Sequence, residues 1–196
     1  MKNRKKQLII LASTSPRRKE LMEKLRLPFV IEAPDYEEDM TLKVSPIKLA
    51  KILSAGKALS VAKKHKDGIV IGADTFVALK GQLLGKPKNK VEAKAMLKKL
   101  SGQEVDVITG MTIIDVASKK KVSKTTVTRV FIRKLANEEI DNYIASGEPM
   151  DKAGAFAIQS LGAVIIRKIE GDFISSLGLS LFILAKELKK FGINVL

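Results

Sequence analysis

A chain of 196 residues, 45% hydrophobic and 29% charged, is long enough to bury a core, and its composition is that of a globular protein. It has no cysteine and a single histidine, His65, which excludes disulfides, thiolate metal centres, cysteine nucleophiles, histidine triads and multi-histidine zinc sites. The net charge of +15 leaves two readings open, a polyanion-binding face or a solvated lysine-rich surface; scattered lysines, no Trp and only two Tyr favour the second.

The start, MKNRKKQLIILAS, joins a basic patch to a short apolar stretch. Leu8 to Ala12 is shorter than the apolar region of a signal peptide, so the segment reads as a lysine-rich leader and a first strand (7–13) of a cytoplasmic protein. No apolar run approaches a membrane span. SPRRKELMEKLRL places Leu21, Met22 and Leu25 at helical spacing, with Ser15 as N-cap and Pro16 at the first helical position. PFVIEAP (28–34) reads as a second strand and PDYEEDM as an acidic loop. Residues 46–65 predict an amphipathic helix with Leu49, Ile52, Leu53 and Leu59 on one face and His65 solvated at its C-terminal end.

GIVIGADTFVAL (68–79) predicts a central strand followed by a turn at KGQ, and VEAKAMLKKLSG (91–102) a helix closed by glycine. QEVDVITGMTIIDVA (103–117) and KVSKTTVTRVFIRKL (121–135) are long β-branched strands joined as a hairpin by SKK. A short helix over 137–147 capped by Asn137, a strand over 162–171 and a last amphipathic helix over 177–192 complete the order. Alternating strands and helices interrupted by a hairpin predict an α/β fold with a mixed sheet in one domain.

Several stretches carry candidate chemistry. In SxSPRR, Ser13, Thr14 and Ser15 lie where a helix N-terminus offers N–H groups to an anion, and Arg17 and Arg18 add forked donors matched to phosphate. An ordinary capped helix with solvated arginines is the competing reading. GQLLGKP (81–87) is no Walker loop, because three residues rather than four separate its glycines and Pro87 replaces Ser or Thr. Lys86 there is either a phosphate ligand or the exposed lysine of a hairpin turn. In GADT, Asp74 places a carboxylate within an apolar strand, which is costly unless it is paired, hydrogen-bonded or metal-bound. It is the best candidate to activate water or hold Mg²⁺. DYEED (35–39) gathers four carboxylates, most of them read as solvated. GEPMDKAGAFAIQSLG (147–162) offers Lys152 and Gln159 among small residues, or is simply a turn-rich connector.

SxSPRR, GADT, GKP, LSG, GEPxDKAGAFxIQ and a late GL, in that order from Leu8 to the last helix, resemble the Maf family of nucleoside triphosphate pyrophosphatases. The resemblance implies an elongated α/β fold with a mixed β-sheet flanked by helices and two lobes around a cleft. It implies a homodimer that hydrolyses a nucleotide to the monophosphate and pyrophosphate with a divalent metal, Mg²⁺ or Mn²⁺. Asp74 matches the family's proton acceptor. Ser13, Arg17, Glu38, Lys57 and Lys86 match its polar cleft positions; the resemblance assigns Ser13, Arg17, Lys57 and Lys86, with Lys152 added, to the substrate phosphates, and Glu38 and Asp74 to the metal. Arg18, Thr75 and Gln159 match the branch that acts on dTTP and UTP, in which Gln and Thr suit the carbonyl and imide edge of the base. Two departures stand out, Asn89 where an acidic residue is common and Ser180 in GLSL where Pro is common. The alternative of another class is a nucleic-acid-binding or septum-formation regulator without catalysis.

Overall fold

The computed structural model describes residues 7–196, so the lysine-rich start lies outside the described residues. Strand β1 (Ile9–Ala12) is buried at all four positions, as a strand covered on both faces must be. It pairs in parallel with β2 (Phe29–Ile31) and β3 (Ile69–Leu79), Ile9 lying opposite both Phe29 and Ile69. Lys80 and Gly81, both at positive φ, then turn the chain into the antiparallel β4 (Gln82–Leu84). This left-handed pair is the geometry tight hairpins require. The long strands β5 (Glu104–Asp115) and β6 (Lys121–Ile132) follow, and β7 (Ile166–Glu170) runs antiparallel to β6. The seven-stranded order is β2-β1-β3-β5-β6-β7 with β4 on β3, the mixed sheet of an α/β protein. The helices are α1 (Pro16–Glu23), α2 (Pro46–Ala62), α3 (Lys90–Leu100), α4 (Asn137–Ala145), α5 (Phe173–Ser176) and α6 (Leu181–Leu188). Among the described residues no helix is long and apolar enough to cross a membrane.

The chain divides into two compact units. The first takes the residues up to Thr75, Thr109–Thr126 and Leu177–Leu196; the second takes Phe76–Ile108 and Val127–Ser176.

In the first unit, Ile10, Ala12, Val70 and Ile114 pack against Ala58, Val61 and Ala62 of α2. The helix lies almost in backbone contact with the sheet. A Cβ added at Gly72 would fall 2.5 Å from the Ser54 carbonyl, and one at Gly110 only 2.1 Å from the Ala50 carbonyl. This close seat corrects the face read from the sequence: Leu49 and Leu53 are buried but Leu59 is 40% exposed, and small residues Ala50, Ser54 and Ala58 take the contact. The Ser54 hydroxyl donates to the Lys51 carbonyl and meets Thr112 Oγ1 at 3.0 Å, which in turn meets Ser123 Oγ at 2.8 Å, so the buried hydroxyls are satisfied. The last helix is shorter than its periodicity suggests. Ser180 accepts from the Ile183 N–H at 3.2 Å and starts α6, and a 3₁₀ turn over Lys189–Phe191 ends it. Ser180 in place of proline is therefore a working N-cap.

In the second unit, Val77, Leu79, Val105, Val107, Val130 and Ile132 pack against α3, α4 and Phe156. Asn89 caps α3 by accepting from Glu92 N–H at 2.9 Å, a role Asn and Asp perform alike, which accounts for the departure at that position. Ala136, not Asn137, holds the N-cap place of α4, where the Glu139 carboxylate accepts from the Ala136 N–H at 2.8 Å. Residues 160–165 form a 3₁₀ turn, so the strand expected from 162 starts only at Ile166.

Candidate functional site

Asp74 sits in β3 at 5% exposure, between buried Ala73 and half-buried Thr75. A carboxylate so placed needs a countercharge. Lys57, itself 8% exposed, supplies it from α2: its Nζ donates to Asp74 Oδ1 in a close ion pair and lies 2.8 Å from Glu38 Oε1. Glu38 comes from the acidic loop, which Tyr36 pins to the same helix. A Cβ on Gly56 would fall 2.1 Å from Tyr36 Cζ, so the glycine beside Lys57 makes room for the ring. Asp35, Glu37 and Asp39 are exposed, as expected for most of this loop, and Asp39 accepts from the N–H and hydroxyl of Thr41.

The two arginines of SPRR have different surroundings. Arg17 is exposed. Arg18 donates from Nε to the Gly178 carbonyl at 3.0 Å and from Nη1 to Ser13 Oγ at 3.2 Å. Gly178 stands at φ +128°, and the Arg18 stem packs where a Cβ would be. Burial lowers the Arg18 pKa, opposed by the carboxylates of Asp74 and Glu38; a guanidinium stays charged throughout. Ser13, 4% exposed, also accepts from the Ser15 N–H at 3.2 Å. Ser15 holds the N-cap place of α1 before Pro16, but its side chain makes no capping bond. The Thr75 hydroxyl lies 3.0 Å from that of Thr109, a buried residue of β5.

In the second unit, Lys86 is exposed just after β4, while Pro87 is buried. The Gly154 N–H donates to the Gly85 carbonyl at 2.9 Å, which brings the Lys86 and Lys152 segments side by side. Lys152 is ion-paired with Asp151. Gln159 is exposed, between Ala157, whose N–H donates to Tyr143 Oη at 3.0 Å, and Leu161 and Gly162, whose N–H groups donate to Glu148. Burial, with a contribution from Glu148, pushes the Tyr143 phenol well above its ordinary pKa.

The structure thus groups Asp74, Lys57 and Glu38 in one cluster, joins Ser13 to Arg18 within electrostatic reach of it, and ties the segments of Lys86 and Lys152 together through the backbone. Thr109, Tyr143 and Glu148 were not singled out from the sequence. Thr109 lies unmarked in a β-branched run, and only the E of GEP was in a quoted motif. His65 is not simply solvated: its Nε2 lies 2.7 Å from Glu32 Oε2, and this bond holds the Glu32 carboxyl below its usual pKa. Among the described residues no three His, Cys, Asp or Glu side chains form a metal cluster. Asp74 and Glu38, which share the Lys57 ammonium, are the carboxylates that could reach a divalent cation such as Mg²⁺, an ion that needs only one or two protein carboxylates.

The fold resembles that of the Staphylococcus aureus Ham1 protein, with a TM-score of 0.53, 13% identity and coverage of 94% of this chain and 100% of that one. A protein of Methanosarcina barkeri named dTTP/UTP pyrophosphatase is 50% identical over 188 residues, 95% of either chain. One of the same name from Carboxydothermus hydrogenoformans is 46% identical over 184 residues, 94% of this chain and 98% of its own. Residues 8–191 match the family described as Maf-like protein, and on that span and that identity this chain belongs to the Maf family.

Proposed function

We propose that this protein is a nucleotide pyrophosphatase that hydrolyses dTTP and UTP to the monophosphate and pyrophosphate. The observation that carries the reading is the buried Asp74 carboxylate held by Lys57 in the strand motif that the family assigns to its proton acceptor. The names of the relatives at 46–50% identity support the substrate class and favour the enzyme over the nucleic-acid-binding alternative.

In this reading Asp74 takes a proton from water as the water oxygen bonds to the α-phosphorus. The bond from that phosphorus to the bridging oxygen breaks, and the electron pair leaves with pyrophosphate. Arg17, Lys86 and Lys152 neutralise the phosphates, and Ser13 contributes a hydroxyl. Lys57 is the countercharge of the buried Asp74 carboxylate and belongs with Arg17, Lys86 and Lys152 to the set that neutralises the phosphates. Arg18, Thr75 and Gln159 select the base, whose carbonyl and imide edge cytosine lacks. Asp74 and Glu38 would hold Mg²⁺ or Mn²⁺, which when bound neutralises phosphate charge. The reading includes a homodimer in the cytoplasm, to be checked by sedimentation and cell fractionation.

The test is pyrophosphate release from dTTP, UTP, CTP, GTP and 7-methyl-GTP, with and without Mg²⁺ or Mn²⁺. Release confined to dTTP and UTP supports the reading. Release from a purine nucleotide would overturn the base assignment, and release without metal would overturn the metal. Asp74→Asn should retain the fold and lose about 100-fold or more in rate, the usual scale of general-base effects.

A further inference from the structure

Gln159 is exposed, on a connector built of short 3₁₀ turns. A side chain there discriminates between bases only if the backbone beneath it is fixed, because a mobile amide pairs with either edge. The second unit contains a device that fixes it on both sides. Tyr143, 4% exposed on α4, accepts from the Ala157 N–H at 3.0 Å and donates to Glu148 Oε1 at 2.9 Å. Glu148 in turn accepts from Gly162 N–H at 2.8 Å on Oε1 and from Leu161 N–H at 3.2 Å on Oε2. One phenol and one carboxylate therefore hold the backbone two residues before Gln159 and two and three residues after it. The closure is tight: a Cβ on Gly162 would fall 2.3 Å from the Ala157 carbonyl and 2.5 Å from Tyr143 Oη.

We propose that Tyr143 and Glu148 are positioning residues for base selection: their linked hydrogen bonds set the angle at which Gln159 meets the nucleobase. The inference rests on the reading of Gln159 as a selector. Hydrogen bonds to a charged carboxylate are the stronger kind, so the restraint is stiff enough for the task. The phenol also stays protonated across the physiological range, because burial and Glu148 both oppose its ionisation.

The experiment compares kcat and KM for dTTP and CTP in the wild type, Tyr143→Phe, Glu148→Gln, Gln159→Ala and the double variant Tyr143→Phe/Gln159→Ala, with circular dichroism on each. Tyr143→Phe keeps the ring in the core and removes only the hydroxyl. The expected result is a fall of about tenfold or more in the dTTP-over-CTP ratio of kcat/KM for each single variant, carried mainly by a higher KM for dTTP, the scale expected when a hydrogen-bonding selector is lost. The double variant should be no less selective than Gln159→Ala alone. Amide exchange at residues 157, 161 and 162 should accelerate in the first two variants. A purely structural role lowers turnover of both nucleotides together and leaves the ratio unchanged, which overturns the proposal. If Gln159→Ala itself leaves the ratio unchanged, the selector reading fails and takes the proposal with it. Should Tyr143→Phe not fold, Glu148→Gln carries the test; failure of both to fold would assign the pair to folding and overturn the proposal.

Discussion

Gly110→Ala is the substitution that best probes how the fold holds the candidate catalytic pair. The new Cβ would stand 2.1 Å from the Ala50 carbonyl oxygen and 2.4 Å from its carbon, where ordinary contact begins at 3.4 Å. The obstacle is helix backbone, so no side chain can swing aside, and α2 must retreat by about 1 Å to restore a normal van der Waals gap. Overpacking of this kind costs about 1–3 kcal/mol. The gain of about 0.4–1 kcal/mol from a stiffer unfolded chain is the smaller effect. The net expectation is a melting temperature lower by up to about 10 °C for a chain of this size. The retreat also carries Lys57 away from Asp74, and a displacement of about 1 Å in a catalytic arrangement can cost about 100-fold in rate. Pyrophosphate release with dTTP, read beside a thermal melt, measures both. Ala50→Gly should not rescue, because the clash is with a carbonyl that glycine retains. A Gly110→Ala protein with wild-type kcat/KM would refute the claim that this seat positions Lys57.

Three further outcomes are expected. Lys57→Met strands the buried Asp74 carboxylate and should cost about 3 kcal/mol, whereas Lys57→Met/Asp74→Asn should recover most of that loss in a urea titration; additive losses would contradict the pairing. Glu38, at 42% side-chain exposure, adds little to either figure. Asn89→Ala should cost about 1 kcal/mol while Asn89→Asp stays within a few tenths, checked by thermal melts. Two bonds from Arg133 hold the Glu139 carboxyl at about 2, against an ordinary 4.5. Because the folded value is the lower, the pair stabilises the fold above about 4.5 and loses that contribution as pH falls towards 2. Carbon-detected NMR titration should find Glu139 ionised at pH 3 in the wild type and largely protonated there in Arg133→Met.

The sequence was most legible where one residue type permits one solution. Asp74 in an apolar strand demanded a partner, and Lys57 is that partner. The strands were legible too, because β-branched runs bounded by turn residues leave little choice. What was hidden depended on tertiary contact. The face of α2 was misread at Leu59 because Gly72 and Gly110 bring the helix so close that small residues take the contact, a fact written on other strands. The strand expected from residue 162 starts late because Glu148, more than ten residues upstream in the chain, captures the Leu161 and Gly162 N–H groups and turns the backbone first. Thr109 and Tyr143 carry no local signal of a role, because each acts through a bond to another segment, Thr109 to Thr75 and Tyr143 to the Ala157 N–H.

The bond from the Gly154 amide to the Gly85 carbonyl has an evolutionary consequence. A peptide-to-peptide tie is blind to side-chain identity, so the bond itself leaves the exposed residues beside Lys86 and Lys152 at liberty to drift in letter. They are not at liberty to drift in length. One residue inserted on either side would slide the register and separate the two lysines, unless the other segment changed with it. In descendants of this chain, the spacing of GKP from its strand and of DKAG from its helix should be inherited together, as a single coupled measure.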